Sequence, residues 1–126
     1  MSDLLKDGAV WLAGQLKAFA SQTVQYVRGN SSVQVAATIG RSTFEVDNGA
    51  GGLLRLESRD YLILPDDLVL LEQAIKPREG DRITETVGSG TIVYEVARFG
   101  SEPCWRYDQQ RTRMIVHTRQ VSEVSQ

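Results

Sequence analysis

The chain has 126 residues, of which 41% are hydrophobic and 24% charged, and its formal net charge is -2. These values are typical of one globular domain with a single core, and they exclude a disordered chain and one that coats a polyanion through bulk charge. Cys104 is the only cysteine, which excludes an intramolecular disulfide and a multi-cysteine metal site. We expect its thiol to be buried as a small apolar group.

Residues 1–20 carry the pattern of an amphipathic helix. Their apolar side chains recur at intervals of four and three residues along one helical face, at Leu5, Ala9, Leu12, Leu16 and Phe19. The charged residues Lys6, Asp7 and Lys17 exclude a secretion signal and a membrane span. Because the apolar face must be covered, we expect this helix to pack on its own sheet or on a neighbouring subunit.

After Ser21 the hydrophobic period changes from 3.6 to 2, which is typical of β-strands. Strands separated by glycine-containing turns are predicted at 23–28, 33–39, 43–47, 53–59, 82–87, 91–97 and 111–120. The flexible tip Asn48–Gly52 joins two of them, and residues 121–126 are predicted to form a frayed tail. The sequence thus predicts one mainly β domain over 1–126 (α+β): a helix over 1–20, then a small antiparallel β-barrel or sandwich of about six strands over 23–120.

The connection from residue 60 to residue 79 is predicted to be irregular. It begins with the apolar cluster Tyr61–Leu64, continues with a short helical turn at Pro65–Asp67, and becomes apolar again over Leu68–Leu71. A long connection with this much apolar content either folds back over the end of the barrel or serves as a docking surface. The sequence leaves both interpretations open.

No set of residues has the spacing that catalysis requires. His117 is the only histidine, and Ser58, Ser101 and Cys104 are candidate nucleophiles by type alone. The glycine-rich loops lack the lysine and hydroxyl that grip a nucleotide, and Asp66-Asp67 lacks the alternating ligands of a calcium loop. We therefore predict no enzymatic activity, no cofactor and no metal.

The last predicted strand carries a basic face formed by Arg111, Arg113, His117 and Arg119. Acidic residues on neighbouring strands could pair with it, and Glu95, Glu85 and Glu45 are available. Alternatively the face binds nucleic acid, with Trp105 or Tyr107 stacking on bases. Glu85 falls on the same side as Ile83, which predicts a bulge or a strand edge there.

Four short motifs carry a resemblance to a known family. They are Glu57–Ile63, Pro77–Ile83, Tyr94–Val96 and Glu102–Tyr107, in this order along the chain. In motif and element order, residues 23–120 resemble the small prophage proteins of the head-tail joining class in long-tailed bacteriophages. That resemblance implies a non-catalytic virion protein, assembled in the bacterial cytoplasm, with a small β-barrel that closes the filled head and receives the tail.

The resemblance also implies the partners. Copies of the chain would form a ring around the DNA exit channel, between a portal or head-completion protein and a tail-tube or tail-terminator protein, close to DNA and away from membranes. The glycine-rich tip and the long connection would be its adaptable parts. The predicted interaction residues, with the basic face added, are Asn48, Gly49, Gly51, Tyr61, Leu62, Ile63, Leu64, Leu68, Leu70, Arg111, Arg113 and Arg119.

Overall fold

A computed structural model describes residues 21–47 and 49–124, and this part of the chain is mainly β. Its nine strands are β1 (Ser21–Arg28), β2 (Ser31–Asp47), β3 (Leu53–Ile63), β4 (Val69–Leu70), β5 (Gln73–Ala74), β6 (Arg82–Val87), β7 (Gly90–Val96), β8 (Trp105–Tyr107) and β9 (Met114–Val124). One 3-10 turn lies at Pro65–Asp67, as predicted. The helix predicted over residues 1–20 lies outside the described residues.

Seven strands form one antiparallel sheet in the order β3-β2-β1-β6-β7-β9-β8. Strand β3 also pairs with β9, so six of these strands form a closed ring. Along the other edge of β9, β7 pairs with one half and β8 with the other. Closure gives each of the six strands neighbours on both sides over part of its length, which removes most exposed sheet edges.

The core lies inside this ring because alternate side chains of each strand point inward. The predicted alternation in β2 is confirmed: Val35 and Ala37 are buried, and Val33 and Ile39 pack against the core. Tyr26, Tyr61, Ile83 and Met114 fill the centre and are fully buried. Cys104 is buried with them, as expected, and burial raises the pKa of its thiol.

The predicted turn at Gly40-Arg41 is wrong. Strand β2 runs without interruption from Ser31 to Asp47, and Gly40 pairs with Asp60 of β3 in the ladder. A Cβ at position 40 would lie at an ordinary van der Waals distance of 3.6 Å from Leu62, so close packing does not require the glycine here.

Strands β2 and β3 extend beyond the barrel as a two-stranded hairpin, which we call the arm. It comprises Arg41–Asp47 and Leu53–Ser58, which pair only with each other among the described residues. In register, Phe44 faces Leu56 and Val46 faces Leu54, so one face of the arm is apolar. The predicted glycine-rich connection closes the arm, with positive φ at Gly49 and Gly51.

The connection over residues 60–79 is more regular than predicted. Residues 60–63 complete β3, and β4 and β5 form a small separate hairpin. Its two-residue turn places Leu71 and Glu72 at positive φ of 51° and 68°, in the left-handed region that costs a branched side chain about 1 kcal/mol or more. Position 71 nevertheless carries a leucine, and this residue is 82% exposed.

Three further boundaries differ from the sequence prediction. The closing strand starts at Met114, because Arg111 has a positive φ and belongs to the turn before it. The same strand continues through Val124 beside β7, so residues 121–124 are not a frayed tail. The short strand β8 was missed. Among the described residues, no helix is long and apolar enough to cross a bilayer.

Candidate functional site

A buried polar cluster lies on the outer face of β2, β3 and β9, and we call it the Asp60 cluster. The Asp60 carboxylate accepts hydrogen bonds from the Ser42 hydroxyl at 2.5 Å, from the Ser58 hydroxyl at 2.5 Å and from His117 Nδ1 at 2.9 Å. Asp60, Ser58 and His117 are each no more than 2% exposed. Three donors satisfy the carboxylate, which is the condition for burying such a group.

The Asp60 cluster contains the residue types of a hydrolase, but its geometry differs from that of a catalytic triad. In a triad the serine hydroxyl bonds the imidazole nitrogen opposite the one that bonds the carboxylate. Here Ser58 bonds the carboxylate itself and lies 3.5 Å from Nδ1, the nitrogen that already faces Asp60. This arrangement gives Ser58 no imidazole nitrogen positioned to take its proton, so the geometry is not that of a triad.

Two aromatic rings cover the Asp60 cluster. Phe44, in the middle of the arm's first strand, meets the imidazole of His117 edge-to-face at 5.2 Å and stacks on Phe99 at 5.1 Å. Phe99 belongs to the loop between β7 and β8 and is 8% exposed. The next residue, Gly100, has a φ of 65°, and a Cβ there would lie 3.0 Å from Val46. The loop therefore packs against the arm and holds it beside the barrel.

A second polar network occupies one end of the barrel interior. The Arg59 guanidinium donates two bonds to the Glu85 carboxylate at 2.7 and 2.9 Å and lies 4.9 Å from the ring of Tyr94. Tyr61 and Gln22 donate to the same carboxylate. Burial raises the pKa of Glu85, but the bonds from Arg59, Tyr61 and Gln22 outweigh that effect and lower it.

This network corrects the prediction of a bulge or edge at Glu85. The side chain points inward beside Ile83 and is 3% exposed, because a guanidinium from β3 neutralises it inside the barrel. The register irregularity in the sheet lies elsewhere, between Val93 and Tyr94 opposite β9.

A similar network lies near the start of β6. Asp81, which is 3% exposed, accepts hydrogen bonds from the Tyr26 hydroxyl, from Arg28 and from the backbone N–H of Arg78. Burial and the bond to Asp81 raise the pKa of Tyr26 well above its ordinary value. Both networks combine one carboxylate, one tyrosine and one arginine, and both tie β6 to strands far away in the sequence.

The predicted basic face does not form a continuous surface. Arg113 donates to the Thr38 hydroxyl at 3.1 Å, His117 is buried against Asp60, and Arg119 pairs with Glu95 at 3.1 Å. The predicted pairing with a neighbouring acidic strand is therefore confirmed for Glu95, while Glu85 pairs with Arg59. Arg111 lies 5.3 Å from the ring of Tyr107.

The two aromatic residues proposed to stack on bases contact each other. Trp105 and Tyr107 meet edge-to-face at 5.1 Å and pack partly against the core, with Lys76 about 6 Å from both rings. The Lys76 ammonium group therefore lies over the rings of both Trp105 and Tyr107. Within the described ranges, no three His, Cys, Asp or Glu side chains are grouped to hold a metal ion.

The structure separates the predicted interaction residues into buried and exposed sets. The buried residues are Tyr61, Ile63, Leu68 and Leu70, which belong to the hydrophobic core; Leu62 and Arg113 are half-buried; and Gly49, Gly51, Leu64, Arg111 and Arg119 are exposed. Asn48 lies outside the described residues. The buried four cannot offer a surface to a partner in this conformation. For the others, a role in binding stays a prediction.

Some exposed apolar residues were not among the predicted interaction residues. Leu53 and Leu54, beside the tip of the arm, are 70% and 50% exposed, and Leu71 is the most exposed large apolar residue of those described. The polar partners Ser42 and Asp81 were also missed. One signal was available in the sequence: Ser58 and Asp60 are polar residues two positions apart, which places them on one face of a strand.

Comparison with protein families gives a match, whereas comparison with single curated proteins gives none. A family model described as phage head-tail joining protein matches residues 2–125, nearly the entire sequence. The match confirms the resemblance drawn from the four motifs, and it identifies the chain as a phage structural protein that acts with head and tail components of the virion. The chain belongs to the phage head-tail joining protein family.

Proposed function

We propose that this protein joins the filled phage head to the tail by forming a ring of copies around the DNA exit channel. The family match over residues 2–125 carries this proposal. In it, a portal or head-completion protein contacts one side of the ring, and a tail-tube or tail-terminator protein contacts the other. A cyclic assembly of this kind needs two different surfaces on each copy, because each interface joins unlike patches.

The arm supplies one such surface. Beyond the barrel, the outer edges of Arg41–Asp47 and Leu53–Ser58 have no neighbouring strand in the described part of the chain. A strand edge of this kind can pair with an extended segment of another protein. Leu53 and Leu54 add exposed apolar area beside the tip. We assign the arm to contacts between this chain and its assembly partners.

Leu71 supplies the other surface. Its left-handed backbone conformation costs free energy that glycine or asparagine would avoid, and its apolar side chain is exposed to solvent. Strain retained at an exposed position is a reason to infer a role in binding. We assign Leu71 to a contact that forms only on assembly and that buries this side chain.

The described residues do not favour the nucleic-acid alternative. It depended on a continuous basic face with free aromatic rings, and within the described residues three of the four predicted basic side chains bond or pair with protein groups. The tyrosine and tryptophan pack on each other and on the core.

Complementation in vitro tests the proposed function. Phage lacking this protein should accumulate DNA-filled heads and finished tails that fail to join, since a joining protein acts after both are complete. Adding the purified protein to the mixed heads and tails should restore infectious particles, counted as plaques. Absence of filled heads, or absence of tails, would show that the protein acts at an earlier step and would refute the proposal.

A further inference from the structure

Two strands continue past the point where the barrel closes. Strands β3 and β9 pair as far as Arg59 and Thr118, and the Thr118 hydroxyl donates to the Arg59 carbonyl at 2.6 Å. Because the two strands are antiparallel, residues 53–58 of β3 and residues 119–124 of β9 leave the barrel at the same end. Within the described residues these two segments do not pair with each other, so each keeps one unpaired edge.

Exposed apolar side chains accompany both unpaired edges. On the arm, Leu53 and Leu54 are 70% and 50% exposed, and on β9 Val121 is 38% exposed. Val121 is the extra residue at the register shift opposite Val93 and Tyr94. An unpaired strand edge beside apolar residues is a template for pairing with another strand. Strand β9 therefore offers a second edge of the same kind as the arm.

The sequences along the two edges are complementary. Counting on from the last rung, and allowing for the extra residue Val121, position 55 comes opposite position 123 and position 54 opposite position 124. The first pair is Arg55 with Glu123, which carry opposite charges. The second pair is Leu54 with Val124, which are both apolar. Arg55 is exposed and forms no ion pair with any other described residue.

We propose that the arm of one copy adds to β9 of the next copy, so that residues 53–57 pair antiparallel with residues 120–124 of the neighbour. This pairing rests on the proposed function, since it takes a ring of copies as the assembly. It joins two unlike edges, as a ring requires, and leaves neither of them unpaired once the ring closes. Leu71 is then left to contact a head or tail component.

Disulfide cross-linking in joined particles tests this pairing. Heads and tails are joined with protein that carries Arg55→Cys, Glu123→Cys and Cys104→Ala, and oxidised glutathione supplies the oxidant. Opposite residues of antiparallel strands have Cα atoms about 5 Å apart, which a disulfide can span. We expect a ladder of covalent oligomers on a non-reducing gel, because each chain is linked to two neighbours. A disulfide within one chain, or no cross-link in joined particles, would overturn the proposal.

The matched control replaces Glu45 instead of Arg55. Glu45 lies opposite Arg55 on the other strand of the arm, one strand spacing of about 5 Å farther from the proposed partner. The pair Glu45→Cys with Glu123→Cys is then about 10 Å apart and beyond the reach of a disulfide, so we expect no ladder. A ladder as strong as that of the test pair would overturn the proposed register.

A charge exchange gives a second measurement that needs no cysteine. Arg55→Glu alone and Glu123→Arg alone should each lower the yield of infectious particles on the order of tenfold, because each places like charges opposite each other. The two substitutions in one chain should restore the yield. Unchanged yields in both single variants, or no restoration in the double variant, would overturn the proposal. Failure of the wild-type protein to join heads and tails would instead count against the proposed function.

Discussion

Replacing Asp60 with alanine should lower the free energy of unfolding by about 3 kcal/mol or more, since a buried donor that loses its partner costs about 1–3 kcal/mol. The substitution leaves the Ser42 and Ser58 hydroxyls and the His117 N–H without their common acceptor. Urea denaturation followed by tryptophan fluorescence measures the change, because Trp105 packs against the core.

A matched control for Asp60→Ala is Glu45→Ala. Glu45 is an exposed carboxylate on the same hairpin, so its removal should change stability by no more than about 0.5 kcal/mol. Equal stability of Asp60→Ala and the wild-type protein would mean that the Asp60 cluster does not hold the arm and β9 together.

Replacing Arg59 with methionine should lower the free energy of unfolding by about 3 kcal/mol. This value is at the lower end of the range for breaking a buried ion pair, because the arginine is about a third exposed. Methionine keeps most of the side-chain volume, while Glu85 loses the two bonds that compensate its burial. Thermal unfolding should show the loss as a clear fall in Tm.

The control for this substitution is Arg41→Met. Arg41 pairs with Glu57 at 3.4 Å, and both side chains are more than half exposed, so the pair should contribute less than about 1 kcal/mol. A loss of stability as large in Arg41→Met as in Arg59→Met would show that burial of Glu85 is not the cause.

The same network implies a dependence on pH. Folding lowers the pKa of Glu85 below its ordinary value of 4.5, so its ionised form stabilises the fold above about pH 4.5. That contribution disappears as the pH falls through the pKa of the folded state. The stability difference between the wild-type protein and Glu85→Gln should therefore be largest at neutral pH and shrink in acid. A constant difference from pH 7 to pH 3 would contradict this assignment.

Local patterns were enough to predict most of the long strands. The alternation of apolar residues placed β1, β6 and β7 within one or two residues of their observed bounds, because each has one face on the core. The pattern failed at two places. At Gly40 the glycine was taken to mark a turn, and residues 60–63, shortly before Pro65, were taken as part of an irregular connection. In both places, pairing with a distant strand decided the conformation.

The polar clusters could not have been predicted from the sequence. Asp60 meets His117 across 57 positions and Arg59 meets Glu85 across 26, so only the register of the closed sheet brings them together. Alternation does not show which polar residues are covered: Phe44 meets His117 beside Asp60, and Phe99 stacks on Phe44. The family, by contrast, was recognisable from four short motifs that follow one another in order between Glu57 and Tyr107.

In the function proposed above, exposed apolar residues, and not the buried serine and histidine, carry out joining. The most direct test is the yield of infectious particles when purified Ser58→Ala and Leu71→Asp proteins are added to separated heads and tails, after circular dichroism has shown that both fold. We expect the Ser58→Ala protein to join them nearly as well as the wild type, and the Leu71→Asp protein to lose most of that activity. Loss of joining in a folded Ser58→Ala protein, with full activity in Leu71→Asp, would contradict the account.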